Sequence, residues 1–320
     1  MIYIMMIVYF LRWMWNRPQV AWHGVAVVIV ALSFWTTHEY LMRAWDIVPA
    51  WPDHTNRVEY HVTDWLWKNM PDARAYPTGS VRFWYDTWHD LAQVGGGSEQ
   101  GLLNSQVEPA QWETNLGLDP KPTILWMQSM GVEAIYVADK QSQEVFKDFE
   151  HPHKFDGILT VLYDDKKGNM LFKVPRRWPD RIRVVETAKL LAVKPPRFND
   201  DMQHLQAYVD AVEKGPDAPG TLRRNGTDAM IAHAKVGAGQ SVLVQETYDP
   251  AWHAWSNGTP LTIRKDAMDL MVIEAPPGEH DITIAFLTPL ENEVGRVVTL
   301  LSLVILAALF WIGRRSEGKV

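Results

Sequence analysis

The chain has 320 residues, room for about two domains of roughly 100–200 residues, and 47% apolar against 22% charged residues excludes wholesale disorder. It contains no cysteine, which removes disulfides, a thiol nucleophile and thiolate-held zinc or iron–sulfur clusters. With 31 Lys+Arg against 38 Asp+Glu the net charge is -7, a poor footprint for nucleic acid, so none is expected as a partner.

Residues 1–11, MIYIMMIVYFL, are apolar but too short to span a bilayer, and they lack the basic start and cleavage site of a secretory signal. We expect the end of an earlier membrane helix, with 12–17 as a cytoplasmic loop, in the C-terminal part of a larger polytopic protein or a chain begun at an internal Met. Residues 20–37, VAWHGVAVVIVALSFWTT, carry no formal charge and cover about 27 Å as a helix, close to a bilayer's hydrocarbon thickness. Residues 297–312, VVTLLSLVILAALFWI, cover about 24 Å and suit a second span with snorkelling flanks. Arg12 and Arg17 before the first, and Arg314, Arg315 and Lys319 after the second, place both outer ends in the cytoplasm and the middle outside it. That middle keeps most of the acidic residues, so it should not cling to anionic lipid.

Between the spans, residues 56–176 alternate helix and strand. Asn56 and Glu59 are spaced as a capping box, and Val58, Val62, Trp65 and Leu66 follow at helical intervals. A helix is predicted over 121–130, a strand over 132–137, a short helix over 142–149, and a strand pair at 158–163 and 169–174 around an Asp-Asp-Lys-Lys-Gly turn. A connection follows over 177–220, holding a strand at 182–186 and an amphipathic helix at 200–214 with Met202, Leu205, Val209 and Val212 on one face. From 229 the hydrophobic period becomes two. Strands are predicted at 230–236, 241–248, 252–255, 260–264, 270–274 and 280–286, with Asn257-Gly258 as a tight hairpin and Asp281 and Thr283 on a wet face. Six short strands with frequent turns point to a β-sandwich.

The expected fold is therefore an α+β membrane-anchored protein: an extracytoplasmic α/β domain and then an antiparallel β-sandwich, flanked by two transmembrane helices. The boundaries are membrane segments at 1–37, the α/β domain at 38–176, a linker at 177–220, the β-sandwich at 221–290, a membrane helix at 296–313 and a cytoplasmic tail at 314–320.

Tryptophan, at 16 residues, is far above ordinary usage, and it gathers in cores, at membrane interfaces and on saccharide surfaces. The conspicuous loop is Gly95-Gly96-Gly97-Ser98-Glu99-Gln100-Gly101. Its glycines let backbone N–H groups approach a phosphate or sugar, and Gln100 can read hydroxyls; the alternative is a tight turn under packed aromatics. It lacks the Lys-Ser/Thr of a P-loop and the dinucleotide-binding spacing. The preceding run from Arg82 to Asp90 adds Trp84 and Trp88 as platforms, against the alternative of core packing. The candidate substrate-binding set is Trp84, Trp88, Gly95, Gly96, Gly97 and Gln100. Asp148-Phe149-Glu150-His151-Pro152-His153 puts two carboxylates and two imidazoles close together, as do Asp86, His89 and Asp90. Both are more simply solvated polar stretches, so no cofactor is expected and a divalent metal ion is left open. No nucleophile triad or carboxylate pair stands out by spacing, and no catalytic residue is assigned.

In this order, Arg82-Phe83-Trp84, Gly95-Gly96-Gly97-x-x-Gln100-Gly101, Lys154-Phe155-x-Gly157, Tyr248-x-Pro250-x-Trp252-x-Ala254-Trp255-x-x-Gly258 and Pro277-Gly278-x-His280 before a last membrane helix resemble the C-terminal half of YfhO-like bacterial polytopic membrane proteins of the GT-C glycosyltransferase superfamily. The resemblance covers roughly 56–311. It implies sugar transfer from a polyprenyl-phosphate-linked donor to a glycan acceptor outside the bacterial cytoplasmic membrane, with membrane lipid as a further partner. In GT-C enzymes the catalytic acid lies in an early extracytoplasmic loop, for which this chain has no counterpart. The other expectation is a non-catalytic, membrane-anchored glycan-binding or envelope-assembly module.

Overall fold

The computed structural model describes residues 2–47, 53–97 and 102–317. The chain divides into two compact units, Met1–His54 and Thr55–Val320.

In the first unit, α1 (Ile2–Trp15) and α2 (Val20–Ile47) are separated by a turn at Pro18, whose ring cannot continue a helix. Trp13 meets Trp22 edge-on at 5.8 Å, and the Arg17 guanidinium lies 4.3 Å from the Trp13 ring. Within α2, the 23 residues Val20–Met42 are long and apolar enough to cross a membrane, and almost none of that stretch is buried by protein. Among the described residues it is the one helix that meets that standard.

The second unit is α+β. Its first sheet has the strand order β2-β1-β3-β5-β4, from β1 (Arg74–Tyr76), β2 (Ala92–Gln93), β3 (Ala134–Ala138), β4 (Thr160–Asp164) and β5 (Asn169–Lys173). β1 runs parallel to β2 and β3, while β5 is antiparallel to β3 and β4. On one face α3 (Val58–Asn69) and α4 (Val81–Trp84) bring Val62, Leu66 and Val81 onto Ala75, Tyr136 and Leu171. On the other, α5 (Val107–Leu116) and α6 (Pro120–Ser129) bring Val107, Leu125 and Trp126 onto Tyr76, Ile135 and Phe172. The alternation of Ala134, Tyr136 and Ala138 with Ile135 and Val137 is the period of a strand covered on both faces.

The second sheet is antiparallel throughout, in the order β6-β9-β12-β11-β10-β13-β8-β7. Its strands are β6 (Ile182–Glu186), β7 (Thr221–Arg224), β8 (Ala229–Val236), β9 (Gln240–Thr247), β10 (Trp252–Ser256), β11 (Thr259–Lys265), β12 (Leu270–Glu274) and β13 (Gly278–Phe286). The six expected strands from 229 onward are all present. β10 and β11 join through Asn257 and Gly258 at φ 50° and 78°, the left-handed pair a two-residue hairpin needs. The sheet curls until its two edges meet. Leu222 N–H of β7 donates to Asp180 Oδ1 just before β6 at 3.3 Å, and Gly220 packs on Ile182. Ile182, Met230, Val242, Val244, Met271, Ile273, Ile282 and Ile284 fill the interior of this barrel-like sandwich.

The connecting stretch turns out to be structural. β6 is an edge strand of the second sheet, and α7 (Thr187–Leu191) and α8 (Met202–Glu213) lie between the sheets. Leu205, Tyr208 and Val209 of α8 join Trp126 and Phe172 to Leu243, Leu270 and Val272 in one core. The unit thus has a continuous interior in place of two domains and a linker. The short helix expected at 142–149 is an irregular loop, because Ser142 and Glu144 spend their hydrogen bonds on neighbouring elements (Asn169, Ser80 and Val81). The capping box does not close either: α3 is capped by Arg57 without a side-chain bond, and Asn56 ends a 3₁₀ turn. The second expected span falls within α9 (Leu290–Glu317), which follows β13.

Candidate functional site

The connection leaving β1 runs to β2 on one side, and the one leaving β3 runs to β4 on the other, so the crevice beyond the carboxyl ends of β1 and β3 is a topological switch point, where open α/β sheets hold ligands. The loops after β1, β2 and β3 carry the glycine run, Arg82 and Asp148 to this edge.

Asp148 is the acid at its centre. Oδ1 accepts from Gly79 N–H at 2.6 Å, and Oδ2 pairs with Arg82 at 3.1 Å and accepts from Asn115 Nδ2 at 3.1 Å. Asn115 Oδ1 in turn accepts from Tyr76 OH at 3.0 Å. The N–H groups of Gly79, Ser80 and Val81 are bonded within the chain, to Asp148, Phe146 O and Glu144. Arg82 also lies over Phe83 and Phe146, at 4.8 and 5.8 Å, and both rings are half open to solvent.

Trp84 and Trp88 are brought together, stacked at 6.0 Å with 15° between planes. They form a surface ladder rather than core. Trp84 is 39% exposed, the Arg57 guanidinium lies 4.6 Å from its ring, and Trp88 meets Tyr60 of α3 edge-on at 5.5 Å. The glycines face other partners. Gly95 has φ 83°, and a Cβ there would come within 2.2 Å of Gln111 Nε2; Gly97 packs against Phe83. Close packing thus explains Gly95, while Gly96 (φ 58°) stands in open space. Gln100 lies outside the described residues.

The grouping of acids and histidines at 148–153 is dispersed: Asp148 turns into the crevice, and His153 pairs at the surface with Asp156 at 3.1 Å. His89 stacks on Trp67 at 4.7 Å and lies 3.6 Å from Asp64, and Asp86 is exposed. Lys154, part of the family resemblance, is structural. Its ammonium donates to Thr114 O at 2.7 Å, Gly117 O at 2.9 Å and Thr123 Oγ1 at 3.0 Å, closing the end of α5.

Three features went unseen in the sequence. The first is Glu59–Ser80–Glu144, a buried chain across the same crevice. The second is an ionic joint between the sheets, where Glu246 meets Arg74 at 2.7 Å, Arg181 at 2.5 Å and Arg224 at 3.7 Å. Burial pushes Glu246 up, but these guanidiniums outweigh it and hold the carboxyl below the ordinary range. The third is a polar cleft of about 800 Å³ at the amino ends of the strands, bordered by Asp72, Asp90, Glu133, Arg181 and Arg224. Each joins residues 50 or more positions apart or lacks a spacing motif, so no local signal announces it.

Comparison with family models, with curated proteins and with solved structures finds no match for this chain.

Proposed function

We propose that the chain is the C-terminal extracytoplasmic and membrane portion of a GT-C-like glycosyltransferase of the bacterial cytoplasmic membrane, with its globular region outside the cytoplasm. Its α/β half presents Trp84, Trp88 and the glycine loop to a polyprenyl-phosphate-linked sugar or its glycan acceptor. The observation that carries this reading is the exposure of Trp84 beside the switch-point crevice, since a stacking platform must reach solvent. The two flanking apolar segments, 20–37 and 297–312, and their basic outer ends support that topology.

A second reading is favoured by the state of the crevice acid. Asp148 is bound by Arg82, Asn115 and Gly79 N–H, which leaves it positioned rather than free to act as a base. A non-catalytic glycan-binding or envelope-assembly module needs no such base. In both readings Trp84→Ala keeps the fold, costing about 1–2 kcal/mol, as a partly exposed ring with one cation–π contact and one stacking partner should. It lowers affinity for a short-chain polyprenyl-phosphate sugar if the first reading holds, and for a soluble oligosaccharide alone if the second does. Titrating both ligands against wild type and variant, with melting temperatures alongside, separates them. Unchanged affinity for both, or a collapsed fold, removes Trp84 from the site.

A further inference from the structure

Two carboxyl side chains are hidden from solvent at the carboxyl ends of β1 and β3: Glu59 from α3 and Glu144 from the loop after β3, at 4% and 6% exposure. They share Ser80, whose Oγ lies 3.0 Å from Glu59 Oε1 and 3.1 Å from Glu144 Oε1. Glu59 is the ionised member. Burial pushes it up, but Arg57 donates to both its oxygens, at 3.0 and 3.2 Å, and leaves it below the ordinary carboxylate value.

Glu144 is surrounded by neutral partners. Oε1 accepts from Val81 N–H at 3.1 Å beside Ser80, and Oε2 lies 3.3 Å from Tyr136 OH. Tyr136 OH is also 2.8 Å from Asn169 Oδ1. The orientation of Asn169 is fixed, because its Nδ2 donates to Asp165 Oδ2 at 2.6 Å. The contacts of Ser80 with both glutamates, of Tyr136 with Glu144 and Asn169, and of Ser142 with Asn169 are five O···O approaches. Each hydroxyl brings one hydrogen, so three hydrogens serve five approaches. A proton on Glu144 supplies a fourth. An ionised Glu144 would instead set a second buried negative charge across Ser80 from Glu59.

The other charged groups nearby are already committed: Arg57 to Glu59, Arg82 to Asp148, Asp165 to Asn169, and Lys147 to Ser142 O at 2.8 Å. Burial first, and then the like charge of Glu59, pushes the Glu144 carboxyl up to about 7. The same loop is held to the β1–α4 turn by Ser80 N–H on Phe146 O at 3.1 Å and by Gly79 N–H on Asp148. Its flanking residues Gln143 and Val145 are exposed, so Glu144 tucks the middle of the loop in, between buried Ser142 and buried Phe149.

We propose that Glu144 is a proton-operated latch: as a neutral acid it pins the 139–149 loop onto the β1–α4 turn, and its ionisation releases that loop and opens the crevice. The inference stands apart from any reading of the ligand. It is tested by hydrogen–deuterium exchange on the full chain in detergent or nanodiscs, from about pH 5 to about pH 8, corrected for the intrinsic rate. Protection at 79–83 and 142–148 should fall by up to about tenfold per pH unit between the ordinary carboxylate range and the midpoint near 7, and level off above it, as one coupled proton requires. Glu144→Gln should make that protection independent of pH, and Glu59→Gln should move the wild-type midpoint to lower pH. Flat protection in wild type, an unchanged slope in Glu144→Gln, or an unmoved midpoint in Glu59→Gln would each overturn the latch. The Glu59→Gln arm decides the matter where Glu144→Gln does not fold.

Discussion

Asp266 shows at the scale of one residue how burial sets a charge. Its Oδ2 accepts from Tyr208 OH at 2.5 Å, and Oδ1 accepts from the N–H groups of Met268 and Leu270 at 2.8 and 2.9 Å. Burial outweighs these bonds and pushes the carboxyl up to about 6. A carboxyl raised in the folded state binds its proton more tightly there than in the unfolded chain. The stability it contributes is fully present below the ordinary carboxylate range and is lost as pH rises through about 6. Asp266→Asn should therefore flatten the fall in melting temperature between about pH 4 and about pH 6, read from a pH series on both proteins. An unaltered slope would assign the fall to another group. Trp84 and Trp88 were legible as an aromatic run, but their orientation was not. What turns them outward is α3, which supplies Tyr60 and lies beside Arg57, more than twenty positions earlier.

Among elements, those whose cause is local were readable and those held by distant partners were not. Strand β13 alternates Ile282 and Ile284 inward with Asp281 and Thr283 outward, as its pattern predicts. β9 and β12 are different: Val242 and Val244 face the barrel interior while Leu243 faces α8, so their apolar runs have no wet side. β1, β2 and β7 are too short to show a period and exist because a neighbouring strand supplies their ladders. The joint of α5 with α6 depends on Lys154, some forty residues downstream of the carbonyls it satisfies. Lys154→Met should leave those carbonyls unpaired and cost about 1–3 kcal/mol in denaturant unfolding, well above an exposed lysine's value. A change under about 0.5 kcal/mol would show that other donors replace it.

For the whole molecule, the shared core changes what cleavage should do. The segment at 215–220 joins α8 to β7, with Arg177 bonded to Gly215 O at 2.8 Å and to Asp217 at 2.8 Å. A protease cut there should leave the two pieces bound to one another, because Leu205, Tyr208 and Val209 are buried against both sheets. Native size exclusion after limited proteolysis checks this, and fragments that separate would contradict the continuous interior. The sequence alone determined the α+β class, the apolar helix at 20–37, the amphipathic α8 and the six strands from 229 onward, since each follows from hydrophobic period and turn residues read within one segment. Tertiary structure alone decided that 177–220 belongs to the core, that β1 and β3 form a switch point, and that Glu59, Ser80 and Glu144 meet. Those outcomes depend on which segments lie beside one another, and a side chain's burial and charge are set by neighbours that no local pattern names.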